Sequence, residues 1–242
     1  MDVLGIDIGG SGIKGAIVDL NDGSLKTERL RIETPVPATP LSVAGKVIEL
    51  ARFFDWKGKI GCGFPAVIRH GVAKTAANVD QSWINADVEK LFTESTGCQT
   101  KVVNDADAAG LAEMKYGVGK DVKGLVLLLT IGTGIGSALF NDGVLVPNSE
   151  YGHFYYKDVV AEKYCSDSAR KKYELEWIDW AKRFNNYLKH LERVINPDLF
   201  IIGGGVSKKQ EKFMPFIGID TEIKIAQLEN NAGIIGAALA GI

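Results

Sequence analysis

The residues best placed to do chemistry lie in the run Lys101-Val102-Val103-Asn104-Asp105-Ala106-Asp107. Its β-branched residues suit a short buried strand, Asn-Asp ends it, and Ala106 to Tyr116 has the composition and spacing of a helix. Asp105 is therefore expected at the carboxyl end of a strand. Open α/β sheets bind their ligands at that edge, and a carboxylate there can take a proton from a substrate hydroxyl. Asn and Asp at a strand-to-helix turn also serve as helix caps, so either residue can equally be satisfying the backbone that follows. Two glycine-rich turns, one on each side in sequence, shift the weight towards chemistry.

The first turn is Gly9-Gly10-Ser11-Gly12, between the apolar run Val3 to Ile8 and a second β-type run, Ile13 to Leu20. It reads as the tip of a hairpin whose backbone N–H groups can approach an anion, with Lys14 and Asp7 close by. The acid there can orient a metal or its waters. A flexible hairpin with a surface lysine has the same pattern. The second turn is Thr130-Ile131-Gly132-Thr133-Gly134-Ile135-Gly136, between a buried strand, Gly124 to Leu129, and a returning strand, Ser137 to Phe140. Two matching strand-turn-strand units in one chain suggest an internal duplication, with two half-molecules facing one cleft. A third glycine run, Gly203-Gly204-Gly205-Val206-Ser207, follows another buried strand and precedes an expected helix, which permits approach of an anion or nucleotide. Lys208, Lys209 and Lys212 come next and read either as a donor-side basic cluster or as a solvated face.

Stepping outward from these sites, Glu28 to Thr34 reads as a third strand, and the prolines of Thr34 to Pro40 make a connecting loop. Leu41 to Phe54 and Asp87 to Thr96 read as helices. Lys59 to Pro65 reads as a strand running into a turn, where Gly63 and its neighbours could bring backbone close to a ligand. Asn78 falls on a loop, able both to donate and to accept. Glu150 and His153 sit in an irregular polar segment and could reach a polyhydroxylated ligand. Ser168 to Ile195 reads as one long helix, its aromatics at 3.6 spacing belonging to the core. Ala232 to Leu239 is a small-residue helix suited to close packing.

Composition sets bounds. The chain has 242 residues, 46% hydrophobic and 24% charged, which is enough to bury a sizeable core. A formal net charge of −2 and pI ≈ 6.0 argue against bulk nucleic-acid binding. The three cysteines, Cys62, Cys98 and Cys165, have no paired spacing, so reduced cytoplasmic thiols are expected. No apolar run approaches the roughly 18 residues of a membrane span.

With the motifs laid out, the chain resembles the ROK family of sugar kinases over essentially its whole length. Asp7-Ile8-Gly9-Gly10-Ser11 with Lys14 looks like that family's first phosphate motif, Thr130 to Gly136 like its second and Gly203 to Ser207 like its adenosine motif. The resemblance narrows to the polyphosphate glucokinases on Thr34-Pro35-Val36-Pro37-Ala38-Thr39-Pro40, on Leu145-Val146-Pro147-Asn148 and on Gly203 to Lys209. It implies an actin-like ATPase (ribonuclease H-like) α/β fold of two duplicated domains around one cleft. The expected small domain is residues 1–105 with 232–242, and the larger one 106–231.

The resemblance also implies roles. Asp105 would be the base for the 6-hydroxyl of glucose, with sugar contacts at Gly63, Pro65, Asn78, Asn104, Glu150, His153 and Glu162. Donor contacts would fall on Asp7, Gly9, Gly10, Ser11, Lys14, Thr130, Gly132, Thr133, Gly134, Gly204 and Gly205, with Lys208 and Lys209 at the outer end of the donor site. Mg²⁺ would accompany a polyphosphate or ATP donor, indirectly through Asp7. Many members carry a cysteine-rich zinc motif after the histidine, but Phe154 to Tyr164 has no cysteine, so no zinc is expected. A cytoplasmic homodimer without nucleic-acid or membrane partners completes the expectation. An ATP-dependent hexokinase such as a glucokinase or mannokinase, and a non-catalytic sugar sensor, are the alternatives.

Overall fold

The computed structural model describes residues 1–77 and 79–242. The chain divides into two compact units, Met1–Ala112 with Asn231–Ile242, and Glu113–Asn230.

In the first unit, β1 (Asp2–Ile8) and β2 (Ile13–Asp19) form the expected hairpin, with Asp7 opposite Lys14. β3 (Leu30–Ile32) is shorter than the 28–34 run that suggested it. α1 (Pro40–Phe53) starts earlier than the sequence indicated because the Thr39 hydroxyl caps it by accepting from Ser42 N. Pro40 then sits in the first turn, where its missing N–H costs nothing. β4 (Ile60–Phe64) leads into a small hairpin of β5 (Ile68–Arg69) and β6 (Val72–Ala73). α2 (Val88–Thr96) runs from an Asp87 cap to a left-handed Gly97, and β7 (Thr100–Asn104) passes directly into α3 (Asp105–Tyr116).

The sheet order is β3-β2-β1-β4-β7, antiparallel across the first three strands and parallel from β1 onward. The C-terminal helix α7 (Ala232–Ala240) packs on β1 and β4. A Cβ on Gly61 would overlap the Ala237 carbonyl, and one on Gly236 would overlap the Ala108 carbonyl, so α7 lies in near-backbone contact with both the sheet and α3. That packing keeps the first turns of α3 in this unit and places the division after Ala112, several residues beyond Asp105.

The second unit repeats the plan. β8 (Leu125–Ile131), β9 (Ile135–Asn141) and β10 (Val144–Val146) are antiparallel, and β13 (Leu199–Gly203) and β14 (Glu222–Ile225) add in parallel, giving the order β10-β9-β8-β13-β14. Between them lie β11 (Tyr155–Tyr156), β12 (Val159–Val160), α4 (Ala161–Cys165), α5 (Asp167–Lys172) and α6 (Trp177–Ile195). Two sheets with the same order and the same strand directions are what a duplicated strand-turn-strand unit produces.

Two expectations change here. The single helix read over 168–195 is broken: Tyr173 N bonds Ala169 O, and Glu174 takes φ 49, which ends α5 before α6 begins. The 3.6 spacing of Tyr173 and Trp177 runs across this break, so periodicity could not reveal it. The residues after Gly204 form a 3₁₀ helix over Gly205–Lys212 with a kink at Lys209, not an α-helix. The α6 aromatics are core, as read: Trp180, Phe184 and Tyr187 are fully buried with Leu127, Leu129, Phe200 and Phe213. Each such side chain contributes about 1.5–3 kcal/mol by burial. Among the described residues no helix is long and apolar enough to cross a membrane.

Candidate active site

In the first unit the strand-to-helix junction resolves the choice between base and cap. Asn104 is the cap: its Oδ1 accepts from Ala106 N at 2.8 Å and from Asp107 N at 3.2 Å, while its Nδ2 donates to Ala66 O at 3.2 Å. Only 8% of it is exposed, so it has little left to offer a ligand beyond its second amide hydrogen. Asp105 is the first residue of α3, half-exposed, with one carboxylate oxygen accepting from Ala106 N at 2.8 Å. Gly63 lies against Ala108 and the Asp105 backbone, and Pro65 follows in the turn that Asn104 ties down through Ala66. Asn78 lies outside the described residues.

The β1–β2 turn is closed by Gly9 N donating to Gly12 O at 3.1 Å, which leaves Gly10 and Ser11 exposed. Asp7 Oδ2 meets Lys14 Nζ at 3.1 Å, and the same carboxylate lies against Gly233 in the first turn of α7, an end whose dipole favours negative charge. Two braces of this turn were not read from the sequence. Thr34 Oγ1 donates to Gly9 O at 2.6 Å, and Arg31 Nη2 donates to Ser11 O at 2.8 Å with its guanidinium beside Gly12. Arg31 thus adds a second cation to the turn. Its only sequence signal was its position in the alternating run Leu30-Arg31-Ile32.

In the second unit three side chains gather beside the β8–β9 turn. His153 Nδ1 lies 2.6 Å from Glu150 Oε2, and His153 Nε2 lies 3.7 Å from Glu162 Oε2. Glu162 reaches back to the turn: its Oε2 accepts from Ile135 N at 3.4 Å and occupies the space that a Cβ on Gly134 would need. Its other oxygen pairs with Lys163 at 3.0 Å. The loop carrying Glu150 is fixed from behind, because Ser137 Oγ donates to Ser149 O and accepts from Tyr151 N, and Tyr187 OH donates to Tyr151 O. Two carboxylates and an imidazole held in this way supply acceptors and a donor suited to neighbouring hydroxyls. Glu150 also borders a cavity of about 430 Å³ with Tyr151, Phe154, His190, Leu191 and Val194. Neither His153 nor Glu162 lines it, so it is not where these three groups converge.

The donor-type residues of this unit are positioned from several elements. Thr130 belongs to β8, paired with Gly136 and Gly203, so the exposed turn is confined to Gly132-Thr133-Gly134, closed by Gly132 N donating to Gly134 O at 3.0 Å. Gly204, at φ 78, sits where a Cβ would overlap the Ile131 backbone, and its carbonyl accepts from Ser207 Oγ at 2.8 Å. The three lysines after it do not act together. Lys208 is ion-paired with Glu229 at 3.1 Å, Lys212 lies over the Trp177 ring, and Lys209 is exposed with no ion pair among the described residues. Among the described residues no group of three or more His, Cys, Asp or Glu side chains could hold a metal ion.

Comparison with known proteins places this geometry in context. A model of the ROK family matches residues 3–176. The polyphosphate glucokinase of Mycobacterium tuberculosis (strain ATCC 25618 / H37Rv) is 48% identical over 240 residues, covering 99% of this chain and 91% of that one. The polyphosphate glucokinase of Mycobacterium leprae (strain TN) is 46% identical over 238 residues, covering 98% and 74%. Among solved structures, the inorganic polyphosphate/ATP-glucomannokinase from Arthrobacter sp. strain KM matches with a TM-score of 0.92 at 48% identity, over 98% of this chain and 97% of that one. A ROK family glucokinase from Streptomyces griseus in complex with glucose and AMPPNP matches with a TM-score of 0.83 at 20% identity over 99% of each chain, a likeness of fold.

Proposed function

The chain belongs to the ROK family, and on that premise we propose that it is a polyphosphate glucokinase of the actin-like ATPase fold. It transfers the terminal phosphoryl group of polyphosphate to the 6-hydroxyl of glucose. The observation that carries this reading is the near-full-length similarity to polyphosphate glucokinases. Asp105 stands at the end of its strand with a separate residue, Asn104, serving as the helix cap, which leaves the carboxylate available as a base.

In the proposed reaction Asp105 accepts the proton of the 6-hydroxyl. The bond formed joins that oxygen to the terminal phosphorus, and the bond broken joins the phosphorus to its bridging oxygen, which leaves as the new end of a donor one unit shorter. Glu150, His153 and Glu162 hold the remaining hydroxyls, Gly63 and Pro65 shape the sugar-side loop, and Asn104 offers its second amide hydrogen; Asn78 is assigned to the same role. Donor phosphates are cradled by Gly9, Gly10 and Ser11 with Lys14 and Arg31, by Thr130, Gly132, Thr133 and Gly134, and by Gly204 and Gly205. Positioning and charge neutralisation of this kind provide most of the catalysis in phosphoryl transfer.

The donor set at the first turn was tested for a metal. Asp7 is a lone carboxylate already opposed by Lys14, which suits a Mg²⁺ ion that arrives on the donor and keeps its waters, not one caged by protein. When bound, the ion neutralises charge on the donor phosphates. Cytoplasmic location and a homodimer belong to the same proposal, the former supported by three free, buried thiols.

Glucose 6-phosphate formation, measured by a coupled assay in parallel with long-chain polyphosphate and with ATP, tests the reading. Efficient turnover with polyphosphate supports it. The second reading, an ATP-dependent hexokinase, is favoured by the double donor named for the Arthrobacter neighbour and predicts turnover with ATP alone. Turnover with neither donor overturns both.

A further inference from the structure

Two elements leave the β8–β9 turn and meet again at one aromatic ring. α5 begins on the turn, with Asp167 N and Ser168 N donating to Gly132 O at 3.1 and 3.3 Å. The 3₁₀ helix Gly205–Lys212 begins there too, since Gly204 lies directly on the Ile131 backbone. One turn along α5 the Arg170 guanidinium carbon lies 4.3 Å from the centroid of the Trp177 ring. From the end of the 3₁₀ helix, Lys212 Nζ lies 5.9 Å from the same centroid. A ring within about 6 Å of a cation attracts it, so Trp177 holds together two positive charges that would otherwise repel.

The charge here is not balanced. Asp167 accepts from Arg170 at 2.9 Å and from Lys171 at 2.7 Å, so one carboxylate serves two cations. Burial works to raise the Asp167 pKa, but the hydrogen bonds from Lys171 and Arg170 outweigh it and hold the carboxyl below its usual range. Lys209 and Lys212 have no ion pair among the described residues, and the exposed acids of the same stretch, Glu174, Glu176 and Glu211, pair with none of these cations. Lys208 is different, because Glu229 discharges it.

We infer that Arg170 and Lys212, held around Trp177, form with Lys209 an anion subsite for the inner phosphates of a polyphosphate chain whose reacting end lies at the β8–β9 turn. The subsite rests on the polyphosphate reading of the donor. A 3₁₀ helix rises about 2 Å per residue, so Lys212 stands roughly 14 Å along it from Gly205, farther than a triphosphate reaches from the turn. It also explains how a nucleoside-type glycine turn can serve a polyanion: the aromatic ring next to it is already engaged by cations.

The test compares wild type with Lys212→Gln, Trp177→Leu and the double variant Arg170→Gln/Lys212→Gln, each checked for folding by circular dichroism. Donors are long-chain polyphosphate, tripolyphosphate and ATP. For long-chain polyphosphate KM should rise about three- to ten-fold in each single variant and further in the double, with kcat and the glucose KM unchanged. Tripolyphosphate and ATP should be unaffected. The slope of log KM against log salt for the long donor should fall by about one per cation removed. A long-chain KM within two-fold of wild type in Lys212→Gln, whose exposed side chain makes a folding defect implausible, overturns the subsite, as does an equal loss on all three donors. Calorimetric titration with long-chain polyphosphate separates this from the donor reading. Binding that weakens in the variants without any turnover in wild type sinks the donor assignment and keeps the subsite. Binding that ignores the variants, or no binding, sinks the subsite.

Discussion

Asn104→Ala probes how the proposed base is held. The substitution removes the acceptor for Ala106 N and Asp107 N and the donor to Ala66 O, all at a residue only 8% exposed. Loss of an N-cap costs about 1 kcal/mol. Leaving a nearly buried carbonyl without its donor adds about 1–2 kcal/mol, for a total of roughly 2–3 kcal/mol. Because α3 starts at Asp105, the same change frees the base and the Pro65 turn to shift. A displacement of about 1 Å at a reacting group costs about 10²-fold in rate. Denaturant unfolding and steady-state kinetics should therefore give a destabilised enzyme whose kcat falls about 10- to 100-fold while the glucose KM stays within about three-fold. Asn104→Asp keeps the cap acceptor and should recover most of the stability, since a negative charge suits a helix N-terminus. A variant as stable as wild type that loses glucose affinity but keeps kcat would refute the reasoning and make Asn104 a plain hexose ligand.

Asp105→Asn preserves shape while removing proton acceptance, so kcat should drop at least about 10²-fold with folding intact; turnover within a few-fold of wild type removes Asp105 from the role of base. Gly134→Ala places a methyl where Glu162 Oε2 lies, and the far end of a glutamate moves cheaply. Stability should change by less than about 1 kcal/mol while the glucose KM rises about ten-fold or more, the worth of a hydrogen bond to a charged group. Burial pushes the Cys62 and Cys165 thiols well above the usual range, and a higher pKa means less thiolate at a given pH. Iodoacetamide at pH 8 should leave both unlabelled in the native protein, as mass spectrometry after digestion would show, and label both after denaturation. Chelation should abolish activity and Mg²⁺ restore it, with elemental analysis finding no stoichiometric zinc; one tightly held zinc per chain would mean that His153 has been misread.

Local pattern carried much of this protein. Alternation and glycine placement located the β1–β2 and β8–β9 hairpins, because a strand's period of two and a tight turn are properties of neighbouring residues. The repeat of that unit forecast two sheets of equal topology, and Asn104-Asp105 at a strand end was legible for the same reason. What local pattern could not settle was which of the two residues caps the helix, since both types do so. Only the backbone path, with Asp105 already helical, assigns the cap to Asn104.

Long-range partners lay beyond the sequence altogether. Lys208, Lys209 and Lys212 read as one basic cluster, yet Glu229 discharges the first and Trp177 holds the third beside Arg170. Arg31 reaches the Ser11 carbonyl from another strand, and Glu162 reaches Ile135 N across the β8–β9 turn. The break between α5 and α6 was hidden because its aromatics keep helical spacing across it. Residue type and period fixed the strands, the turns and the identity of the reactive groups. Which charge meets which was decided only when separate elements packed, because side-chain pairing depends on distances that no neighbouring residue encodes.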